Sequence, residues 1–276
     1  MINEFLKSRI EDAKTLVQEL NETYEYVSIL GNYVKTKKAL ITTVSSSIDE
    51  LDNECGFVIK VYKDGHYSEY SCDDIRGLHA ENVIDAITIS TPFATSIPCL
   101  KENKHVESFA REDSSSLTDE EIYQRLNAIK EYAHAKDPKV IQVGCVFMKR
   151  ETSKIFVSIN KCLDQKYDWC NAMMQVVVRD GDNIKMNFTG EGEVDSQLVL
   201  DKIDADKDEV IDIALKLLNA RPIEAGTYDI ICDPAVAGLI AHEAFGHGVE
   251  MDMFVKERAK AVQYVVQRVA SDVVNR

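Results

Sequence analysis

Residues 226–252 read Gly226-Thr-Tyr-Asp-Ile-Ile-Cys-Asp-Pro-Ala-Val-Ala-Gly-Leu-Ile-Ala-His-Glu-Ala-Phe-Gly-His-Gly-Val-Glu-Met-Asp252. The run Tyr228 to Cys232 has the texture of a short strand. Asp233 followed by Pro234 predicts a helix start, because the Asp side chain can accept an unpaired backbone N–H and Pro has none to leave unbonded. The next seven residues are apolar on every face, which predicts a buried helix. Two imidazoles and a carboxylate, His242, His247 and Glu243, follow directly. In a buried setting they need a partner. A metal ion suits them: neutral imidazoles ligate it, and a neighbouring carboxylate can take a proton from bound water.

The spacing is H-E-x-x-x-H. On a regular α-helix, residues i and i+4 lie about 40° apart, whereas i and i+5 lie about 140° apart. Both histidines can meet one ion only if the helix widens locally into a π turn or ends between them. Gly246 and Gly248 flank His247 and make either distortion cheap. The plainer alternative keeps His247 as a helix-end histidine with Glu243 paired locally.

Upstream, Phe5, Leu6, Ile10, Ala13, Leu16, Val17 and Leu20 recur at helical spacing. β-rich runs follow at 24–30, 39–44, 56–62 and 66–70, with turn signals at Gly31-Asn32, Asp52-Asn53 and Asp64-Gly65. A helix is expected over 74–89, and residues 90–116 read as a linker or exposed excursion. Thr118-Asp-Glu-Glu121 opens a further helix with a capping box, and Ile122, Leu126, Ile129 and Ala133 form its apolar stripe. Strand runs resume at 140–147, 154–159, 173–179 and 184–188, with a tight turn over 180–183. A helix over 206–220 stops at Pro222.

The fold class expected is therefore α+β: two helix–antiparallel meander–helix modules, 1–116 and 117–222, then a strand–helix segment, 223–276, carrying the motif. A helix is also expected over 257–274, with Ala261, Val262, Val265, Val266, Val269 and Val273 on one stripe.

Composition narrows the function classes. The chain has 276 residues, 45% hydrophobic and 29% charged, with 12 Gly and 5 Pro, which is ordinary globular usage. A formal charge of −15 argues against gripping nucleic acid, where Lys and Arg must displace counterions. No apolar run reaches the 18 or so residues that cross a bilayer, and Met1 to Arg9 shows no signal peptide. Seven widely spaced cysteines without a C-x-x-C pair read as free thiols. A cytoplasmic protein with no direct nucleic-acid or membrane contact is expected.

The run 238–252, with its lead-in 226–237, closely resembles the signature of the TldD half of the TldD/PmbA (TldE) peptidase family, known earlier as a modulator of DNA gyrase. That resemblance implies a zinc metallopeptidase acting on flexible or unfolded peptides, assembled as a heterodimer with a TldE/PmbA-type subunit. His242 and His247 would then ligate Zn²⁺, and Glu243 would be the general base. Glu250 and Asp252 would be candidates to orient an imidazole. Family members continue into a β-rich C-terminal domain whose cysteine supplies the third ligand. No cysteine of this chain corresponds to it, which leads us to expect a fragment or shortened product, poor as an enzyme alone. The alternative is a non-catalytic scaffold or partner-binding protein with an incomplete metal site.

Overall fold

A computed structural model describes residues 2–87, 99, 101–250, 252–253, 258–264 and 267–269. The elements of the first part are α1 (Glu4–Lys7), α2 (Ile10–Leu20), β1 (Tyr26–Thr42), β2 (Ser46–Glu50), β3 (Glu54–Lys63), β4 (His66–Cys72) and α3 (Ala80–Ala86). Then come β5 (His105–Arg111), α4 (Asp119–Lys136), β6 (Val140–Ser158), β7 (Lys161–Asp180), β8 (Asn183–Glu193) and α5 (Ser196–Leu217). The motif segment holds α6 (Pro234–Ala241) and short turns. The chain divides into two units, Met1–Arg221 and Pro222–Arg276.

One eight-stranded sheet runs through the first unit in the order β4-β3-β1-β6-β7-β5, with β2 on β1 and β8 on β7. The α+β class stands. The two modules expected at 1–116 and 117–222 share this sheet, because β1 pairs with β6 from Ser28↔Ser158 to Thr42↔Gly144 without a register shift.

Odd-numbered side chains face the helices toward both ends of β1 and β6, over 27–29 and 39–41 and over 143–147 and 155–157. Val27 and Ile29 with Ile155 and Val157 pack against α1, α2 and α3. Ala39 and Ile41 with Val143, Cys145 and Phe147 pack against α4 and α5. Period-2 alternation therefore places two separate apolar cores on one face, at opposite ends of the same strands. The stripes Leu6, Ala13, Leu16, Val17, Leu20 and Ile122, Leu126, Ile129, Ala133 are buried as their spacing requires.

Between the cores the strands carry charge. Lys149 Nζ lies 2.9 Å from Asp113 Oδ2 and 3.6 Å from Asp168 Oδ2. Asp168 Oδ2 accepts from Asp113 N at 2.9 Å, and Asp113 Oδ1 accepts from Ser196 N at 2.9 Å and Ser115 N at 3.1 Å. Burial pushes the Asp113 carboxyl up, but the Ser196 N–H and Lys149 outweigh it and hold it at about 2. One carboxylate thus joins the segment before α4, the start of α5 and the middle of β6.

Several sequence expectations change. Gly31-Asn32 is the interior of β1, not a turn: a Cβ on Gly31 would lie 2.7 Å from Phe57 Cε1 and 2.9 Å from Ile155 Cγ1. The glycine marks a close approach. The break expected after Phe147 is likewise strand: residues 149–154 are polar because β6 crosses there between the cores. Within 90–116, β5 pairs parallel with β7, His105↔Lys161 to Arg111↔Tyr167, and all seven residues are exposed, which left no alternation to read. Residues 88–98 and 100 lie outside the described residues. The helix expected over 74–89 is the shorter α3. α5 begins ten residues earlier than expected, capped by Asp195, with Val199, Leu200 and Ile203 buried. Of the helix expected over 257–274, residues 260–264 form a 3-10 turn and 267–269 no helix; the remainder is mostly outside the described residues. The turns at 64–65 and 181–182 hold, with φ +50° at Asp64, +82° at Gly65 and +59° at Gly181. All seven cysteines are free. Among the described residues no helix is long and apolar enough to cross a membrane.

Two predictions test this frame. Gly31→Ala should cost about 1–3 kcal/mol by overpacking, seen as a lower unfolding midpoint in denaturant. Asp113 is depressed on folding, so its stabilisation is present above pH ~4 and is lost as pH falls through about 2. Asp113→Asn should therefore be about 1–2 kcal/mol less stable near pH 7, and the gap should close on acidification.

Candidate metal centre

Within the second unit, α6 begins as its sequence dictates. Asp233 Oδ1 accepts from Val236 N at 2.8 Å, and Pro234 occupies the first turn. The strand expected at 228–232 is not formed among the described residues, and Ile231 is fully exposed. Nor is α6 buried: Val236, Leu239 and Ile240 are 46–57% exposed. The described part of 222–276 supplies only one helix and short turns, too little to cover an apolar helix on all sides. Burial therefore does not force a metal on the histidines, and what favours one is their geometry.

Geometry does so through a π turn. Residues 242–246 leave the α-helical winding, and His247 N donates to His242 O, the i to i+5 bond of the wider turn. Where an α turn stacks i on i+4, this one stacks i on i+5, so the H-E-x-x-x-H spacing becomes a same-face pair. The two imidazole centroids lie 4.5 Å apart, edge to face. A 3-10 turn over His247–Val249 then ends the helix.

Ligand atoms of His242, Glu243 and His247 all lie within 4.8 Å of one another. Glu243 Oε2 is 3.7 Å from His247 Nε2, and Glu250 Oε1 is 2.7 Å from His247 Nδ1. The hydrogen bond that His247 Nδ1–H donates to Glu250 and the charge of that carboxylate, with Glu243 adding to it, raise the His247 pKa above its ordinary value. Glu250 thus occupies one ring nitrogen and leaves Nε2 on the side of His242 and Glu243. Asp252 is exposed and not in this donor group. Two imidazoles beside a carboxylate are a donor set that fits a borderline cation such as zinc. Among the described residues no further His, Cys, Asp or Glu joins the group.

A feature the sequence reading missed is a cavity of about 360 Å³ in the sheet unit, lined by Lys35, Lys37, Glu50, Asp113, Lys149 and Glu151 among others. The run Lys35-Thr-Lys-Lys38 was its one visible sign.

No protein-family model matches the chain. It is 23% identical over 268 residues to a metalloprotease of Methanocaldococcus jannaschii, covering 94% of this chain and 59% of that protein. It is 21% identical over 247 residues to a metalloprotease TldD homolog of Buchnera aphidicola, covering 77% and 50%. Among solved structures it superposes on a candidate modulator of DNA gyrase from Bacteroides thetaiotaomicron with TM-score 0.77 at 14% identity, covering 96% of this chain and 62% of that one. TldE from Thermococcus kodakarensis matches with TM-score 0.62 at 13% identity, covering 92% and 58%. The chain thus spans 50–62% of the length of these proteins. Sequence relatives and structural neighbours bear out the resemblance to the TldD/PmbA family.

Glu250→Gln should lower the His247 pKa toward that of a free imidazole while leaving the helix intact. Titration of the His247 ring protons by NMR checks it. An unchanged value would mean that Glu250 does not hold the ring in solution.

Proposed function

We propose that this chain is a zinc-dependent, TldD-type metallopeptidase subunit. The observation that carries the reading is the π turn, which brings His242, Glu243 and His247 to one face despite a spacing that a regular helix would spread. Relatives named as metalloproteases support it. When bound, zinc would supply a Lewis acid that polarises a peptide carbonyl and lowers the pKa of water.

The chain's own residues supply the rest. His242 and His247 would hold the ion, the latter through Nε2, while Glu250 fixes the His247 ring by Nδ1. Glu243 accepts the proton of the attacking water on a carboxylate oxygen and returns it to the departing amine nitrogen. Substrates are flexible or unfolded peptides, and the working assembly includes a TldE/PmbA-type partner subunit. The setting is cytoplasmic. A second reading, a non-catalytic partner-binding protein, has one observation in its favour: the described donor group stops at two histidines and one carboxylate, short of the three protein ligands usual in catalytic zinc sites.

Metal analysis and peptide cleavage by the same preparations separate the two. The 276-residue chain is expected to retain close to one equivalent of zinc, and His242→Ala to lose it. Glu243→Gln should keep the metal and lose cleavage by a factor on the order of 10²–10⁴. Zinc retained with no cleavage in either form would favour the binding protein. No zinc in any form would remove the metal site from this chain.

A further inference from the structure

β8 pairs with β7 on one side only, and among the described residues no backbone bond is made from its other edge. The edge runs eleven residues, Asn-Ile-Lys-Met-Asn-Phe-Thr-Gly-Glu-Gly-Glu, with no proline and no register shift. Proteins ordinarily blunt such an edge because its free N–H and C=O groups template further pairing. The odd-numbered side chains face α5: Asn187 donates to Val210 O and Thr189 to Asp206 Oδ2, both at 3.2 Å. The even-numbered ones face away, and Ile184, Met186 and Phe188 are 55%, 53% and 60% exposed. On β7 the exposed Trp169 and Met173 continue that apolar face.

We propose that this edge pairs antiparallel with the same edge of a second copy of the chain, about a twofold axis at Phe188. The sequence of β8 is complementary to itself in that register alone along its full length. Asn183 stands across from the partner's Glu193, so no residue of the strand is left over. Lys185 stands across from the partner's Glu191, and symmetry makes that ion pair twice. The bulky Ile184 and Met186 stand across from the partner's Gly192 and Gly190, so large side chains meet open space. Phe188 meets the partner's Phe188.

A slip by one residue would place the apolar side chains on the helix side. Moving the axis to Thr189 would leave the first residues of β8 unpaired. It would also oppose Lys185 to the partner's Glu193, which Lys202 holds at 2.6 Å, more closely than the 3.5 Å at which it approaches Glu191. Cross-strand pairs of opposite charge and of aromatics are the stabilising units of a sheet. Pairing in this register joins two eight-stranded sheets into one, with the apolar faces of both copies contiguous. The proposal is independent of the metal site.

Sedimentation of the 276-residue chain at tens of micromolar should show a dimer. Lys185→Glu and Glu191→Lys should each weaken it about tenfold, and the combined swap should restore it. Circular dichroism confirms that each variant is folded, Glu191 being also 3.5 Å from Lys202. Phe188→Cys should cross-link to itself under mild oxidation, whereas Met186→Cys and the wild type with its own cysteines should not. A monomer at all concentrations would overturn the proposal. So would a dimer unmoved by either charge reversal, a loss not recovered by the swap, or cross-linking favoured at 186.

Discussion

The buried Asp113 carboxylate is the interaction on which the sheet unit depends. Long strands can carry two helical layers only if something polar can be tolerated where the layers part. Lys149 sits at that point on β6, and alone it would be a charge withdrawn from water without compensation. Asp113 neutralises it and at the same time accepts the first N–H of α5, a group that helix geometry leaves unbonded. The same residue donates its own backbone N–H to Asp168 on β7. One side chain therefore fixes where α5 starts, where the segment after β5 turns toward α4, and how Lys149 of β6 and Asp168 of β7 are bridged. Its removal would leave several groups unsatisfied together, so their contributions should couple rather than add.

That arrangement explains what could be read beforehand. Apolar stripes on α2 and α4 and capping chemistry at Thr118 are local, and they held. The strands β1 and β6 read as broken, and β7 only from Met173 onward, because the remaining stretches are rich in polar residues, which ordinarily mean loops. Only the presence of two cores on one face turns those stretches back into strand, and that is a tertiary fact. Gly31 misled for a similar reason. A glycine beside an asparagine is a turn signal locally, but the phenyl ring of Phe57 fills the space its side chain would take. The early start of α5 was hidden because its cap, Asp195, gains meaning only beside Ser114 and Ser115, which donate to it from eighty residues away.

At the motif the balance is reversed. The residues and the need for a local widening were legible from spacing and two glycines. The setting was not: the apolar run before the motif suggested a buried helix, and α6 is exposed. Exposure changes the chemistry expected of the donors. Neighbouring carboxylates, Glu250 first, raise the pKa of His247. Binding of a cation must then come from chelation by groups already converged, not from relief of a desolvated charge. Convergence is what the π turn provides, and Glu250 narrows it further by occupying one nitrogen of His247.

The π turn has a consequence for how such chains are related. Deleting one residue between His242 and His247 would close the wide turn to an α turn, and the two imidazoles would remain stacked. The chain after the second histidine would keep its phase as well, because the wide turn absorbs the extra residue that a regular helix would register as a rotation of about 100°. An insertion held in a π turn is thus invisible both to the chelating pair and to whatever follows it. The extra residue of H-E-x-x-x-H is then a local bulge between the two histidines, one that changes neither how they grip an ion nor the direction around the axis in which the next segment leaves.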